Sequence, residues 1–237
     1  MNIAIIAAAG QGTRFGGERP KQFLELAGVP VIIHTLRRFE SCSEIQEVIV
    51  ALPAQDAAGF LALAGKYGLR KLARVVVGGL TRAESVWRGL QTIRAATAEI
   101  IAVHDGVRPF VTPEEIARTV QAARACGAAI LTAPVIDTIK EVEKEQVSRT
   151  LRRTQLRRAL TPQCFSYELL RRAYEQSQEL LASATDDSSL VESLGVKVSV
   201  VEGDARNIKI TRAEDIAVGE VLLKAEFRSQ NPESRMG

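Results

Sequence analysis

The apolar run Asn2-Ile3-Ala4-Ile5-Ile6 passes without interruption into Ala7-Ala8-Ala9-Gly10-Gln11-Gly12-Thr13-Arg14, and Pro20-Lys21-Gln22 follows shortly after. A hydrophobic strand that ends in small residues and glycines suits an α/β domain whose first loop turns tightly and brings backbone N–H groups close to an anion. Arg14 and Lys21 add mobile positive charge, so a nucleoside triphosphate is the natural guest. Plain turn geometry is the alternative reading. The spacing departs from both common nucleotide motifs: Gly10-x-Gly12-x-x-Phe15 lacks the third glycine of the dinucleotide fingerprint, and no Gly-Lys-Ser/Thr follows for a P-loop. A nucleotide site here would therefore lean on its side-chain cations.

Further along, short apolar runs alternate with amphipathic stretches, as a buried parallel sheet flanked by helices requires. Strands are expected at Ile3–Ile6, Glu47–Leu52, Ala73–Val77, Ile100–His104, Ala128–Thr132 and Val196–Val201. Helices are expected at Val31–Phe39, Gln55–Tyr67, Arg82–Ala95, Pro113–Ala125, Ser166–Leu181, Asp186–Leu194 and Arg212–Ala225. Thr81-x-x-Glu84, Thr112-Pro113-Glu114-Glu115 and Thr211-x-x-Glu214 carry the residue types of helix N-caps, in which hydroxyl and carboxylate satisfy otherwise free N–H groups.

The alternation breaks between Val135 and Thr161. Val135–Val142 and Val147–Arg152 show partial period-two patterning around the polar Glu143-Lys144-Glu145-Gln146, which favours a β-hairpin outside the main sheet. Such an arm cannot bury both faces in its own core, so it points to packing against a second subunit, with a solvent-facing excursion as the alternative. The reading is of one domain over residues 1–226 that includes a protruding arm at 136–158, and of a disordered tail at 227–237.

With 237 residues and 46% hydrophobic content, the chain can bury one large core. The 31 Lys and Arg against 28 Asp and Glu leave a formal charge of only +3, too little for a general nucleic-acid binder but enough for a local anion site. Cys42, Cys126 and Cys164 have no metal-ligand spacing, which argues against a disulfide framework or a structural zinc. Cys126 and Cys164 read as packing residues. The opening apolar run is unlike a secretory signal and nothing approaches a membrane span, so a cytoplasmic protein is expected.

Asp105, in Val103-His104-Asp105-Gly106-Val107-Arg108-Pro109, falls at the carboxyl end of the fourth expected strand, where ligands of open α/β sheets gather. Beside a triphosphate it could serve as an oxygen ligand for Mg²⁺; capping the next turn is the alternative. His104 reads as an oriented strand-end residue rather than a base. Arg152-Arg153 and Arg157-Arg158 read as solvated or interfacial, Lys209 as either an anion contact or a salt bridge, and Thr185-Asp186-Asp187 as a helix cap.

Taken in order, Ala8-Ala9-Gly10-x-Gly12-x-Arg14, Pro20-Lys21-Gln22, Gly78-Gly79 with Arg82-x-x-Ser85-Val86, His104-Asp105-x-x-Arg108-Pro109, Ala133-Pro134-Val135-x-Asp137-Thr138-x-Lys140, Thr161-Pro162-Gln163, Thr185-Asp186 and Asn207-Ile208-Lys209 span nearly the whole chain. Each is weak alone. Together they resemble the 2-C-methyl-D-erythritol 4-phosphate cytidylyltransferases of the non-mevalonate isoprenoid pathway. The resemblance implies an α/β, Rossmann-like nucleotidyltransferase fold, a homodimer joined by the arm, and cytidylyl transfer from CTP to 2-C-methyl-D-erythritol 4-phosphate with Mg²⁺.

It implies that Arg14 and Lys21 bind the triphosphate and stabilise developing charge, and that Ala8, Ala9, Gly10, Gly12, Gly79 and Ser85 surround the nucleotide. It further implies that Asp105 is associated with Mg²⁺ and the reacting centre, and that Arg108, Thr138, Arg153, Thr161 and Lys209 lie around the acceptor. Arg153 and Lys209 are implied among the catalytic cations, and Thr138 and Arg153 are expected to reach the neighbouring subunit's site. Two positions depart from the family's pattern: Leu80 stands where an acidic residue is common, and Gly106-Val107 replaces a common alanine pair. Related enzymes that use ribitol 5-phosphate share the nucleotide machinery. A non-catalytic CTP-binding protein is an alternative of another class, which the acceptor-side cations Arg153 and Lys209 argue against; a sugar-1-phosphate nucleotidyltransferase is a further enzymatic one.

Overall fold

The structure, a computed structural model, describes residues 1–10, 20–176 and 184–230. In chain order its elements are β1 (Ile3–Ala7), β2 (Glu25–Leu26), β3 (Val29–Pro30), α1 (Val31–Ser41), β4 (Glu47–Leu52), α2 (Ala54–Ala57), α3 (Phe60–Lys66), β5 (Leu72–Val77), α4 (Arg82–Gln91), β6 (Ile100–Asp105), α5 (Pro113–Cys126) and β7 (Ala128–Pro134). They continue with β8 (Lys140–Glu143), β9 (Gln146–Thr150), β10 (Arg157–Ser166), α6 (Tyr167–Gln176), α7 (Asp187–Glu192), β11 (Ser199–Glu202) and α8 (Ala213–Gln230).

Seven strands form one sheet in the order β11-β7-β10-β6-β1-β4-β5. All neighbours run parallel except β10, which is antiparallel to both β6 and β7. From β1 the chain winds outward through β4 to β5 and then returns to place β6 on the other side of β1. This reversal opens a crevice beyond the carboxyl ends of β1 and β6, where Ala7 pairs with Asp105.

Alternation along β1 shows why helices cover both faces. Ala4 and Ile6 join a cluster with Ile32 and Phe39 of α1 and Ile116 and Val120 of α5. Ile3 and Ile5 join the opposite cluster with Val86 and Leu90 of α4, Leu170 and Tyr174 of α6 and Val191 of α7. Full burial of each large apolar side chain contributes about 1.5–3 kcal/mol relative to exposure. No described helix is long and apolar enough to cross a membrane.

Several sequence expectations are corrected. The helix expected over Gln55–Tyr67 is two helices, because Gly59 between them adopts φ +89°. The helix from Arg82 stops at Gln91, where the Thr92 hydroxyl bonds the Gly89 carbonyl. The strand expected at Val196–Val201 is Ser199–Glu202. The helix from Ser166 begins at Tyr167 and is described to Gln176, and the one from Asp186 is Asp187–Glu192 with Asp186 as its cap. The last helix runs to Gln230, through the start of the expected tail; residues 231–237 lie outside the described residues. Thr112 and Glu115 form the reciprocal capping box, whereas Thr81 caps α4 while Glu84 bonds the Leu80 N–H instead, and the carboxylate at Thr211 is Asp215, not Glu214. Cys126 is exposed rather than packed, while Cys42 and Cys164 are buried.

The largest omission is β10. Its two ladder partners sit on either side of it in mid-sheet, yet Arg157-Arg158 and Pro162 hide it from strand patterning. The ladder to β7 steps from Ala159–Thr132 to Gln163–Ile130, leaving residues 160–162 as a bulge. The hairpin of β8 and β9 stands apart from the main sheet as expected, but the arm ends before 158, since Arg157 and Arg158 pair with Pro134 and Ala133.

Candidate active site

The chain leaves β1 between two glycines. A Cβ on Gly78 would fall 2.1 Å from that of Ala9, and one on Gly106 would fall 2.7 Å from that of Ala8. Gly106, one of the two departures from the resemblance, thus makes room for Ala8. The following turn, Gly79 to Ser85, is held from inside: the Ser85 hydroxyl accepts from the Gly79 N–H at 3.1 Å and donates to the Thr81 carbonyl at 2.8 Å. Leu80 is 98% exposed at the rim, an apolar side chain with no carboxylate to offer a ligand.

Ala8, Ala9, Gly10, Lys21, Gly79 and Ser85 line one cavity, together with Asp105 and Lys209. Arg108, Thr161, Gln163 and Asp186 line a second. The two share a wall: Arg82, Asp105 and Lys209 line both.

Asp105 is the centre of this wall. One carboxylate oxygen accepts from Arg82 Nε at 2.8 Å; the other faces Lys209 Nζ at 3.0 Å and Arg108 Nε at 3.2 Å. Burial alone would push its carboxyl up, but the charges of Arg82, Lys209 and Arg108 outweigh it and hold the group well below the usual carboxylate range. Three cations around one carboxylate leave the wall net positive, as a meeting place for two anions requires.

His104, fully buried beneath Asp105, is a structural partner and not a base. Its Nε2 bonds the Arg108 carbonyl at 3.1 Å, which requires a proton on that nitrogen. Nδ1 therefore accepts from the Thr161 hydroxyl at 2.9 Å, and the same hydroxyl accepts from the Asp105 N–H at 3.2 Å. Burial drives its pKa down to about 3, so the ring is neutral. The β10 bulge presents Thr161 to this network, and Asn207 Nδ2 bonds the Thr161 carbonyl at 2.9 Å.

A family model for 2-C-methyl-D-erythritol 4-phosphate cytidylyltransferase matches residues 2–225. The chain belongs to this family. Its relatives include the enzyme of that name from Bacillus cytotoxicus, 43% identical over 96% of this chain and all of the other, and that of Pelotomaculum thermopropionicum, 44% identical over 94% of each. Among solved structures, 4-diphosphocytidyl-2C-methyl-D-erythritol synthase from Anaerococcus prevotii superposes with a TM-score of 0.83 at 32% identity, over 94% of this chain and 96% of the other. The corresponding Thermus thermophilus cytidylyltransferase superposes with a TM-score of 0.75 at 35% identity, over 93% and 98%.

Within this cytidylyltransferase chain, the expected site residues divide into three groups. Ala8, Ala9, Gly10, Lys21, Gly79, Ser85, Asp105, Arg108, Thr161 and Lys209 come together around the two cavities. Gly12 and Arg14 lie outside the described residues. Thr138 and Arg153 are exposed on the arm and line neither cavity; Arg153 Nη1 instead bonds the Ile136 carbonyl at 2.9 Å. Of its two sequence readings Lys209 shows the salt bridge, to Asp105 at 3.0 Å, and it lines both cavities. Arg82 and Gln163 stand within sequence motifs that assign them no role of their own. Their neighbours in three dimensions come from distant segments, so spacing alone carries no signal for their roles.

Proposed function

We propose that this chain transfers the cytidylyl group of CTP to 2-C-methyl-D-erythritol 4-phosphate, giving 4-diphosphocytidyl-2-C-methyl-D-erythritol and pyrophosphate. The observation that carries this reading is the shared wall of Arg82, Asp105 and Lys209 between two cavities. The first cavity takes the nucleotide: Ala8, Ala9, Gly10, Gly12, Gly79 and Ser85 surround the cytidine, and Arg14 and Lys21 meet the triphosphate. The second takes the acceptor, whose phosphate faces Arg108, Thr161 and Lys209.

The attacking phosphate monoester needs no base, because its second pKa is about 6 and it is largely dianionic near neutrality. One of its oxygens bonds to the α-phosphorus as the bond from that phosphorus to the β-bridging oxygen breaks, and pyrophosphate departs opposite. No proton has to move, in keeping with a neutral His104 whose two nitrogens are both occupied. Catalysis then rests on holding two anions in line and neutralising charge as it shifts to the leaving group. Lys21 suits that role as a point charge on a flexible stem.

The donor set fits a Mg²⁺ ion in one way. Asp105 is the carboxylate that lines the first cavity, and no three His, Cys, Asp or Glu side chains cluster among the described residues. Arg82, Lys209 and Arg108 take three of the about four acceptor positions of this carboxylate and leave one, and Mg²⁺ commonly takes one or two carboxylates and completes its shell with water and substrate phosphates, so Asp105 would hold an ion carried in on CTP. When bound, the ion supplies neutralisation of phosphate charge.

In the same reading the protein is a homodimer and Thr138 and Arg153 complete the partner's acceptor site. That they line neither cavity of their own chain supports this, as do the apolar side chains Ile136, Val142 and Val147, 76%, 57% and 61% exposed around the arm. Three free cysteines suit a reducing compartment, the cytoplasm.

The test is product analysis with CTP, Mg²⁺ and parallel acceptors: 2-C-methyl-D-erythritol 4-phosphate, ribitol 5-phosphate and sugar phosphates. The expected result is pyrophosphate release and the cytidylylated product by mass with the first acceptor alone. Equal or greater product with ribitol 5-phosphate would overturn the acceptor, and CTP binding without product from any acceptor would overturn the reaction.

A further inference from the structure

Behind the shared wall lies a second carboxylate that no ligand can reach. Asp187, in the first turn of α7, is fully buried and lines neither cavity. Its two oxygens accept from the Tyr174 hydroxyl at 2.6 Å and from Arg82 Nη1 at 2.7 Å, and its own N–H donates to Gln163 Oε1 at 3.0 Å. Tyr174 is itself fixed, fully buried and stacked on Trp87 of α4 with centroids 5.7 Å apart. Arg82 opens the same helix α4, so the path from Arg82 through Asp187, Tyr174 and Trp87 returns to its starting element.

Arg82 spends its planar fork on two carboxylates from different parts of the fold, Nε on Asp105 and Nη1 on Asp187. Two directional bonds on one rigid plane fix its position and tilt, which a single ion pair would leave free to swing. The plane in turn occupies one Asp105 oxygen and leaves the other for Lys209 and Arg108. A buried carboxylate is a costly way to stabilise a core, since apolar residues of similar volume serve that end as well or better.

We propose that Asp187 is a positioning residue for the transfer reaction: through Arg82 it sets the orientation of Asp105 and, with it, of the Lys209 and Arg108 cations that face the acceptor phosphate. The inference rests on the reading of this site as a cytidylyl-transfer site. It places the effect on the alignment of acceptor and α-phosphorus, because Gly79 and Ser85, which flank Arg82 in the same turn, are held by bonds of the Ser85 hydroxyl to Gly79 and Thr81 that do not involve Asp187.

The experiment first establishes that the wild-type chain makes product; failure there sinks the functional reading and not this one. With activity in hand, Asp187→Asn keeps the shape and removes the charge. The expected result is a fall in kcat per folded protein of about 10- to 100-fold, the scale of an ångström-sized misplacement of reacting groups, with CTP affinity by calorimetry within about twofold. Arg82→Lys loses the rigid plane whose two edges hold Asp105 and Asp187, and should lower kcat at least as much. Because Asp187 acts through Arg82, adding Asp187→Asn to Arg82→Lys should produce no further fall in kcat. Wild-type kcat in folded Asp187→Asn, or multiplicative losses in the double variant, would overturn the proposal. Should Asp187→Asn fail to fold, Tyr174→Phe removes only the hydroxyl that steadies Asp187: a several-fold drop in kcat at unchanged CTP affinity supports the proposal, and an unchanged kcat overturns it.

Discussion

Ala9 lies where a side chain on Gly78 would have to go, since a Cβ built there falls 2.1 Å from the Ala9 Cβ. Both atoms are bonded directly to backbone, so neither can swing aside. Gly78→Ala must therefore displace the loop that leaves β1, at a cost of about 1–3 kcal/mol for overpacking. In the proposed reading the displaced loop carries the nucleotide contacts. CTP affinity is expected to fall by about tenfold or more, equivalent to about 1.4 kcal/mol, with the fold retained. Calorimetric titration of CTP alongside thermal melting checks this, and an unaltered Kd would show that the loop is free to move.

Lys21 lines the same cavity, in a short helical turn and only part-buried. Truncating one part-buried side chain commonly costs little stability, while the loss of a charge aimed at a transition state commonly costs about 10²–10³ in kcat. Lys21→Ala should therefore lower turnover by about that factor and leave the melting temperature nearly unchanged. A drop in stability large enough to explain the lost activity would remove Lys21 from the chemistry.

The parts of this site that sequence made legible are those whose partners are local or whose residue types allow few roles. The run into Ala7–Gly10 announced a strand and the loop that lines the first cavity, and Asp105 after Ile100–His104 announced a carboxylate at a strand end; the register of Ala7 with Asp105 joins them. The capping box at Thr112 and Glu115 spans three residues and was equally visible. β10 was not, because Pro162 and two exposed arginines contradict strand patterning, and the bulge that tolerates the proline is visible only once β6 and β7 flank it. The Arg82–Asp187 pair joins residues 105 positions apart, and no local pattern distinguishes Asp187 from the cap beside it. At Thr211 the error was one residue, Asp215 for Glu214, within the ordinary play of helix ends.

His104 should make the protein sensitive to acid. Buried and neutral, it binds a proton only at about pH 3, whereas the unfolded imidazole does so near 6.5. Between those values the unfolded chain holds more protons than the folded one, so stability rises with pH and is lost on acidification. From pH 7 to pH 5 this histidine alone should remove about 2 kcal/mol. Urea melts of the metal-free protein at both values check it. The share of the loss that disappears in His104→Gln belongs to this residue, and the same loss in the variant would remove His104 as its cause.

Cross-subunit construction makes a prediction that no single-chain site can meet. Thr138 and Arg153 stand on the arm and line neither cavity of their own chain, whereas Lys21 lines the first. If two arms exchange across a two-fold axis, each site takes Lys21 from one chain and Arg153 from the other. Lys21→Ala and Arg153→Ala homodimers would then both be impaired at both sites. A mixed dimer holds one site that lacks both side chains and one that lacks neither. Random reassortment of equal amounts makes half the dimers mixed, so activity should recover to about a quarter of wild type. If both side chains served a site within one chain, every site in every dimer would carry one defect and mixing would restore nothing. Turnover measured after subunit exchange, with each homodimer incubated alone as the baseline, separates the two constructions.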